Sequence, residues 1–143
     1  TGSRRSVHGL PAKGLRTVGL AKDVESQGAM GVILNMPISD LNLLAVSRAV
    51  DIPVIITVTN NKTNVKNRLE AGADILNVAG GPDTPQLVEE IRREYPTVPL
   101  IASGGSTEES VARTIRAGAN AITYTPPSTK ELFAMTMAKY REA

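Results

Sequence analysis

The sequence predicts an α/β fold on an all-parallel sheet of five to six βα units, one repeat domain across residues 1–143. Three observations carry that prediction. Runs at residues 31–35, 53–58 and 100–102 read as buried strands, and those at 74–79 and 121–125 as two further strands. Between them lie stretches whose apolar residues recur at helical spacing. The connections are short, and strands alternating with helices through short loops mean βα units.

Taken in order, Thr1-Gly-Ser-Arg-Arg-Ser6 does not begin with Met, and residues 1–13 read as a tag remnant or loop. Val7-His8-Gly9-Leu10 reads as the tail of a strand. Leu15, Val18, Leu20, Ala21 and Val24 mark a helix over 15–27, ended by Gly28. After the strand at 31–35, Ser39 or Asp40 caps a helix over 41–50. The strand at 53–58 leads through polar Thr59-Asn-Asn-Lys62 to a helix over 63–71, ended by Gly72. Residues 74–79 form the next strand, closed by Gly80-Gly81-Pro82. Thr84 is expected to cap the following helix, with Pro85 at its first position, where a missing N–H costs nothing.

The strand at 100–102 runs into a turn of Ser103, Gly104 and Gly105. Ser106 stands three residues before Glu109, the capping-box spacing. The last strand, 121–125, is broken by Pro126-Pro127. A final helix over 129–140 is capped by Ser128, with Glu131 at the box position.

Composition excludes several classes of function. Hydrophobic residues at 41% and charged residues at 21% are those of an ordinary globular domain. Aromatics are 3%, so few platforms exist on which single-stranded nucleic acid could stack. A net charge of +2 does not argue for a nucleic-acid partner. With no cysteine there is no disulfide, thiolate metal site or Cys nucleophile, which is compatible with a reducing, cytoplasmic setting. No apolar run approaches the ~18 residues of a membrane span. Gly-rich dinucleotide, Walker, nucleophile-elbow and zinc motifs are absent, so no cofactor or metal is expected.

The glycines and prolines repeat. Gly28-Ala29, Gly72-Ala73 and Gly118-Ala119 precede strands at nearly equal spacing, and Ile52-Pro53 and Val98-Pro99 precede the alternate ones. The repeating unit is therefore two βα modules. A helix C-cap explains each glycine singly, in the left-handed conformation. It does not explain the alternation with proline, which points to an even-numbered barrel or a piece of one.

Ile101-Ala-Ser-Gly-Gly105, a helix, and then Ala117-Gly-Ala-Asn-Ala-Ile122 resemble the last two modules of the phosphate-binding (βα)8 TIM-barrel superfamily. That superfamily includes inosine monophosphate dehydrogenase, thiazole synthase and sugar-phosphate epimerases. The resemblance covers roughly residues 28–125 and implies that the five clear strands match barrel strands four to eight, with Val7-His8-Gly9 as a remnant of strand three. The fold expected is thus a partial barrel, with an open flavodoxin-like sheet as the alternative. A partial barrel exposes two sheet edges, and a homo-oligomer could cover them.

Ligands in such folds meet the carboxyl ends of the strands. Paired glycines let the backbone come close to a ligand near a helix N-terminus, which suits an anion, although Gly104 and Gly105 also suit a plain tight turn. The superfamily's phosphate site carries over to the amides of Gly104 and Gly105. Its second half does not, because Pro126 and Pro127 have no N–H to donate. Ser128, Thr129 and the amide of Lys130 are the substitutes. Gly80 and Gly81 join the ligand-binding candidates, as do Asn35 and Asn77, two amides near strand ends that orient a ligand or bond to each other. Acid–base candidates are few: Lys62 and Tyr124, in positions where lysine is ordinarily solvated and tyrosine ordinarily packs. His8, the single histidine, reads as a solvated loop residue.

The function expected is recognition of a small anionic or phosphorylated metabolite, as part of a lyase-, isomerase- or hydrolase-type enzyme. Two alternatives stand beside it. One is a ligand-sensing regulator resembling the glycerol-uptake antiterminators, and the other is an inactive half-barrel.

Overall fold

A computed structural model of the chain describes residues 7–10, 15–35, 37–124 and 126–142, with residues 7–10 and 15 described by backbone alone. The tag or loop expected over 1–6 and 11–13, and Thr125, lie outside the described residues.

Six parallel strands, β1 (Val7–Leu10), β2 (Gly31–Leu34), β3 (Val54–Val58), β4 (Ile75–Val78), β5 (Leu100–Ser103) and β6 (Ala121–Thr123), lie side by side in chain order. Helices α1 (Leu15–Ser26), α2 (Asp40–Ala49), α3 (Val65–Glu70), α4 (Thr84–Glu94), α5 (Glu108–Ala117) and α6 (Thr129–Glu142) follow them in turn. Each strand pairs with the next, with no reversal of direction along the sheet. A flavodoxin-like sheet reverses at a switch point, so this order excludes that alternative. The sheet is a segment of a TIM-type barrel. The strand tail expected at residues 7–10 is the strand β1, and His8, expected in a loop, is paired to Val32 within it.

Pleating separates the two faces of the sheet. Val32, Leu34, Val54, Ile56, Val58, Leu76, Val78, Leu100 and Ala102 face outward and form one core with Ala21, Leu43, Val46, Leu87, Val88 and Ile91 of the helices. Each Leu or Val buried there contributes about 1.5–3 kcal/mol. The concave face carries the alternate residues. Ile33, Ile55 and Ile75 stand in register on neighbouring strands. Ile55 is only 2% exposed yet does not belong to the helix-side core.

Several helix starts differ from the sequence reading by a residue or more. Ser39 caps α2 by accepting the Asn42 amide, and Asn64 caps the shorter α3 by accepting that of Asn67. Thr84 does not cap α4. A single 3-10 turn, Gly81–Asp83, precedes the helix, and the buried Thr84 hydroxyl accepts the Gly80 amide instead. The capping box of α5 is Thr107 with Ser110, one residue beyond Ser106 and Glu109. Thr107 wins because its hydroxyl reaches the Ser110 amide while Ser110 Oγ bonds back to the Thr107 amide and to Gly104 O. The box at α6 is as expected, Ser128 with Glu131.

The Gly-Ala/Pro repeat has a hydrogen-bonding cause. Gly28, Gly72 and Gly118 all take positive φ, at 92°, 107° and 120°. Two residues past Gly72, Asp74 accepts the Val54 amide at 2.9 Å, and two past Gly118, Asn120 accepts the Leu100 amide at 2.9 Å. Val54 and Leu100 each follow the proline that opens its strand. One side chain thus ties the start of one strand to the start of the next. Arg92 reinforces the second tie, donating to Asn120 Oδ1 and to the carbonyls of Gly118 and Val98.

Candidate functional site at the strand carboxyl ends

The turn after β5 opens a cleft of about 330 Å³ at the carboxyl edge of the sheet, between it and the turn after β4. Its walls include Gly81, Ser103, Gly104, Gly105, Ser106 and Arg113. Gly104 lends the cleft no donor, because its amide donates to Thr123 O at 2.9 Å. A Cβ on Gly104 would also strike Ile122. Close packing of β5 on β6 therefore requires that glycine. Gly105 is different: it turns at φ +74°, and its amide donates to nothing among the described residues.

Thr107, Ser110, Arg113 and Thr114 line the cleft from one face of α5, at the helical spacing of three and four. Glu108 and Glu109, in the first turn of that helix, do not line it. Arg113 is exposed and makes no ion pair among the described residues. The cleft thus joins an open amide, the hydroxyls of Ser103 and Ser106, and a guanidinium. Sequence reasoning missed Arg113. The available signal was its position three after Ser110 and seven after Ser106, on the face of the helix that meets the turn.

The remaining sequence-predicted donors are distributed unevenly. Gly80 donates its amide to Thr84 Oγ1 at 2.9 Å, and a Cβ there would meet Leu87 at 2.5 Å. Ser128 is engaged in its own capping box, donating its amide to Glu131 Oε2 at 2.8 Å and accepting the Glu131 amide. Thr129 is the first residue of α6 and is exposed. Neither Ser128 nor Thr129 lines the Gly105 cleft. The two halves of the expected phosphate grip do not meet in one cleft.

A second group stands on the concave face. Asn35, following β2, does not bond to Asn77 directly. Thr57 lies between them, donating to Asn35 Oδ1 at 2.8 Å and accepting from Asn77 Nδ2 at 3.2 Å. Thr57 and Asn77 are register partners on β3 and β4, so the three polar groups form a row across three strand ends. Asn77 Oδ1 is buried with no partner among the described residues.

The acid–base candidates lie apart from both groups. Lys62 is exposed in the β3–α3 loop, beside Ser39, Asp40 and Arg68. Arg68 there is tied to Ile38 O and to Asp40. Tyr124 follows β6 and is half-exposed. Among the described residues no three His, Asp or Glu side chains cluster as metal ligands would, and no helix is long and apolar enough to cross a membrane.

No protein-family model matches this sequence, and no curated protein sequence matches it. Solved structures do. A protein described as a phosphonomutase from Burkholderia cenocepacia J2315 superposes with a TM-score of 0.66 at 16% identity, over 98% of this chain and 70% of that one. A mandelate oxidase variant with 4-Br-2-hydroxy-methylphenylacetate gives 0.70 at 14% identity, over 85% of this chain and 50% of that one. Mandelate oxidase with (S)-2-phenylpropionate gives 0.69 at 14% identity, so this chain spans about half the length of those oxidases. At such identities the likeness is one of fold, and it makes this chain similar to a large part of a TIM-type (βα) barrel.

Proposed function

We propose that this chain is the small-molecule-binding part of a (βα)-barrel metabolic enzyme, and that its ligand is an anionic or phosphorylated metabolite held in the cleft after β5. One observation carries the reading: Gly105 and Arg113, whose amide and guanidinium have no partner among the described residues, line a single cleft with Ser103 and Ser106 at the carboxyl ends of the strands. Amides at a helix start and a guanidinium are both suited to phosphate oxygens. Glu108 and Glu109 do not line the cleft, and Arg113 is the one charged side chain among the residues that do. The likeness to barrel proteins bearing enzyme names supports the setting. Under this reading the phosphate-binding superfamily resemblance holds at the β5–α5 turn and is altered at Pro126-Pro127. The acid and base of a reaction then stand outside the cleft, with Lys62 and Tyr124 as the weak candidates.

The concave face supports a second reading, a ligand sensor without catalysis. Asn35, Thr57, Asn77, Ser103 and Thr123 supply amides and hydroxyls there, and the register partners on β2 to β6 include no carboxylate or lysine. Among the described residues the outer edges of β1 and β6 have no partner strand, and we assign their cover to a second copy of the chain.

Calorimetric titration with inorganic phosphate and a sugar phosphate tests the first reading. Arg113→Gln is expected to weaken binding about tenfold, the equivalent of ~1.4 kcal/mol. Binding unchanged by that substitution, or no binding by the unsubstituted chain, overturns it.

A further inference from the structure

We infer that the Asn35–Thr57–Asn77 row is a second ligand contact, one that takes a hydroxyl on an uncharged, hydroxylated carbon chain such as that of a sugar or polyol. The inference rests on the reading above in placing a ligand at the carboxyl ends, but it uses none of the residues of the anion cleft. Asn77 is 9% exposed, about nine-tenths buried, and its Oδ1 has no partner among the described residues. Leaving such an acceptor open costs about 1–3 kcal/mol. The neighbouring concave positions Ile33, Ile55 and Ile75 show that this face accepts an aliphatic side chain without that cost. An amide at Asn77 is therefore explained by a donor that comes from outside the chain.

Inventory of the row defines the donor. Thr57 gives its only proton to Asn35 Oδ1 and receives one from Asn77 Nδ2, so it cannot satisfy Asn77 Oδ1 as well. Turning both carboxamides over reverses the Thr57 bonds and leaves Asn77 Nδ2 open instead. A hydroxyl satisfies either arrangement, because it both donates and accepts; an ammonium or a carboxylate satisfies one. The exposed end of the row, Asn35, meets a second polar group of the same ligand. Ile101 and Ala121 continue the row in register and carry no charge, so the matching part of the ligand is neutral. Ile33 and Ile75 beneath it, both partly exposed, offer an apolar floor to the C–H surface of a sugar or polyol.

The test uses the side-chain amide signals of Asn35 and Asn77 in ¹⁵N–¹H spectra of the full chain, titrated separately with ribose, erythritol and inorganic phosphate. Millimolar ribose or erythritol is expected to shift both signals, in the native chain and in Arg113→Gln alike. Thr57→Val, close in shape, and Asn35→Ala at the exposed end are each expected to reduce the sugar response at least tenfold in apparent affinity. Absence of any response to both neutral probes overturns the inference, as does a response that survives both substitutions. Absence of phosphate binding by the unsubstituted chain, with the sugar response intact, overturns the anion cleft alone.

Discussion

Gly104 donates its amide to the carbonyl of Thr123 at 2.9 Å, as a rung of the sheet between β5 and β6. Of the two glycines that suggest an anion site, one is thus part of the fold and the other, Gly105, borders the cleft. Their substitutions should separate accordingly. Gly104→Ala forces its Cβ onto Ile122 and against Val111 at 3.0 Å, and overpacking of that kind costs about 1–3 kcal/mol. Urea unfolding should report that loss. Arg113→Gln, on the exposed face of α5, should leave stability within about 0.5 kcal/mol and weaken phosphate binding. Equal loss of stability in both variants would show that Arg113 is structural.

That division shows what the sequence makes legible. Alternating apolar runs and short loops disclose the parallel sheet, because β2 and β3 carry almost uninterrupted apolar residues, although β6 is exposed at Ala121 and Thr123. The Gly-Ala/Pro repeat discloses the barrel character, since it depends on local backbone demands at Gly28, Gly72 and Gly118. What stays hidden depends on register across twenty or more residues. Thr57 sits twenty-two residues from Asn35 and twenty from Asn77, and only the pairing of β2, β3 and β4 brings them into one row. Ser106 and Glu109 have capping-box spacing, yet Ser110 Oγ reaches Gly104 O at 2.6 Å and moves the box to Thr107. Spacing names a motif, and the turn geometry before it decides the residue.

Asn120 should prove one of the costlier surface residues to change. Its Oδ1 accepts the Leu100 amide and receives Arg92 Nη2 at 2.8 Å. Asn120→Ala leaves a strand-start amide and a guanidinium without that acceptor, a loss of about 1–3 kcal/mol. Asp74→Ala removes the equivalent tie to Val54, without an arginine, and should cost less. Thermal unfolding of the two variants and their double mutant checks the order. The effects should add, since the ties close different strand pairs.

Alkaline pH should destabilise the chain through Tyr95. Burial raises the affinity of its phenol for the proton, and the carboxylate of Glu94 raises it further. The folded chain therefore holds that proton more tightly than the unfolded one. This contribution is fully present below the ordinary tyrosine value of about 10 and is lost as pH climbs from there through the raised folded value. Tyr95→Phe has no proton to lose, so its stability should fall less steeply above about pH 10. Denaturant midpoints of the two proteins across that range, with phenolate absorbance as a second readout, check the slope. Parallel slopes would remove Tyr95 from the account.

Helix α6 carries the last prediction, because it presents apolar side chains that the sheet does not cover. Phe133 is 67% exposed and Tyr140 76%, with Leu132 beside them, and none of the described residues of α6 is buried. By contrast, α2 buries Leu43 and Val46 in the core on the outward face of the sheet, and α4 buries Leu87, Val88 and Ile91. The strand that precedes it, β6, has a far edge with no partner strand among the described residues. Parallel edges and apolar helix faces left open in this way promote association. With a second copy as the cover, light scattering should give a multiple of the monomer mass at micromolar concentration. Phe133→Ser with Tyr140→Ser removes apolar surface without touching the core, so these changes should lower the mass toward the monomer and leave the far-ultraviolet spectrum intact. A monomer in the unsubstituted chain would overturn the assignment of that cover to a second copy.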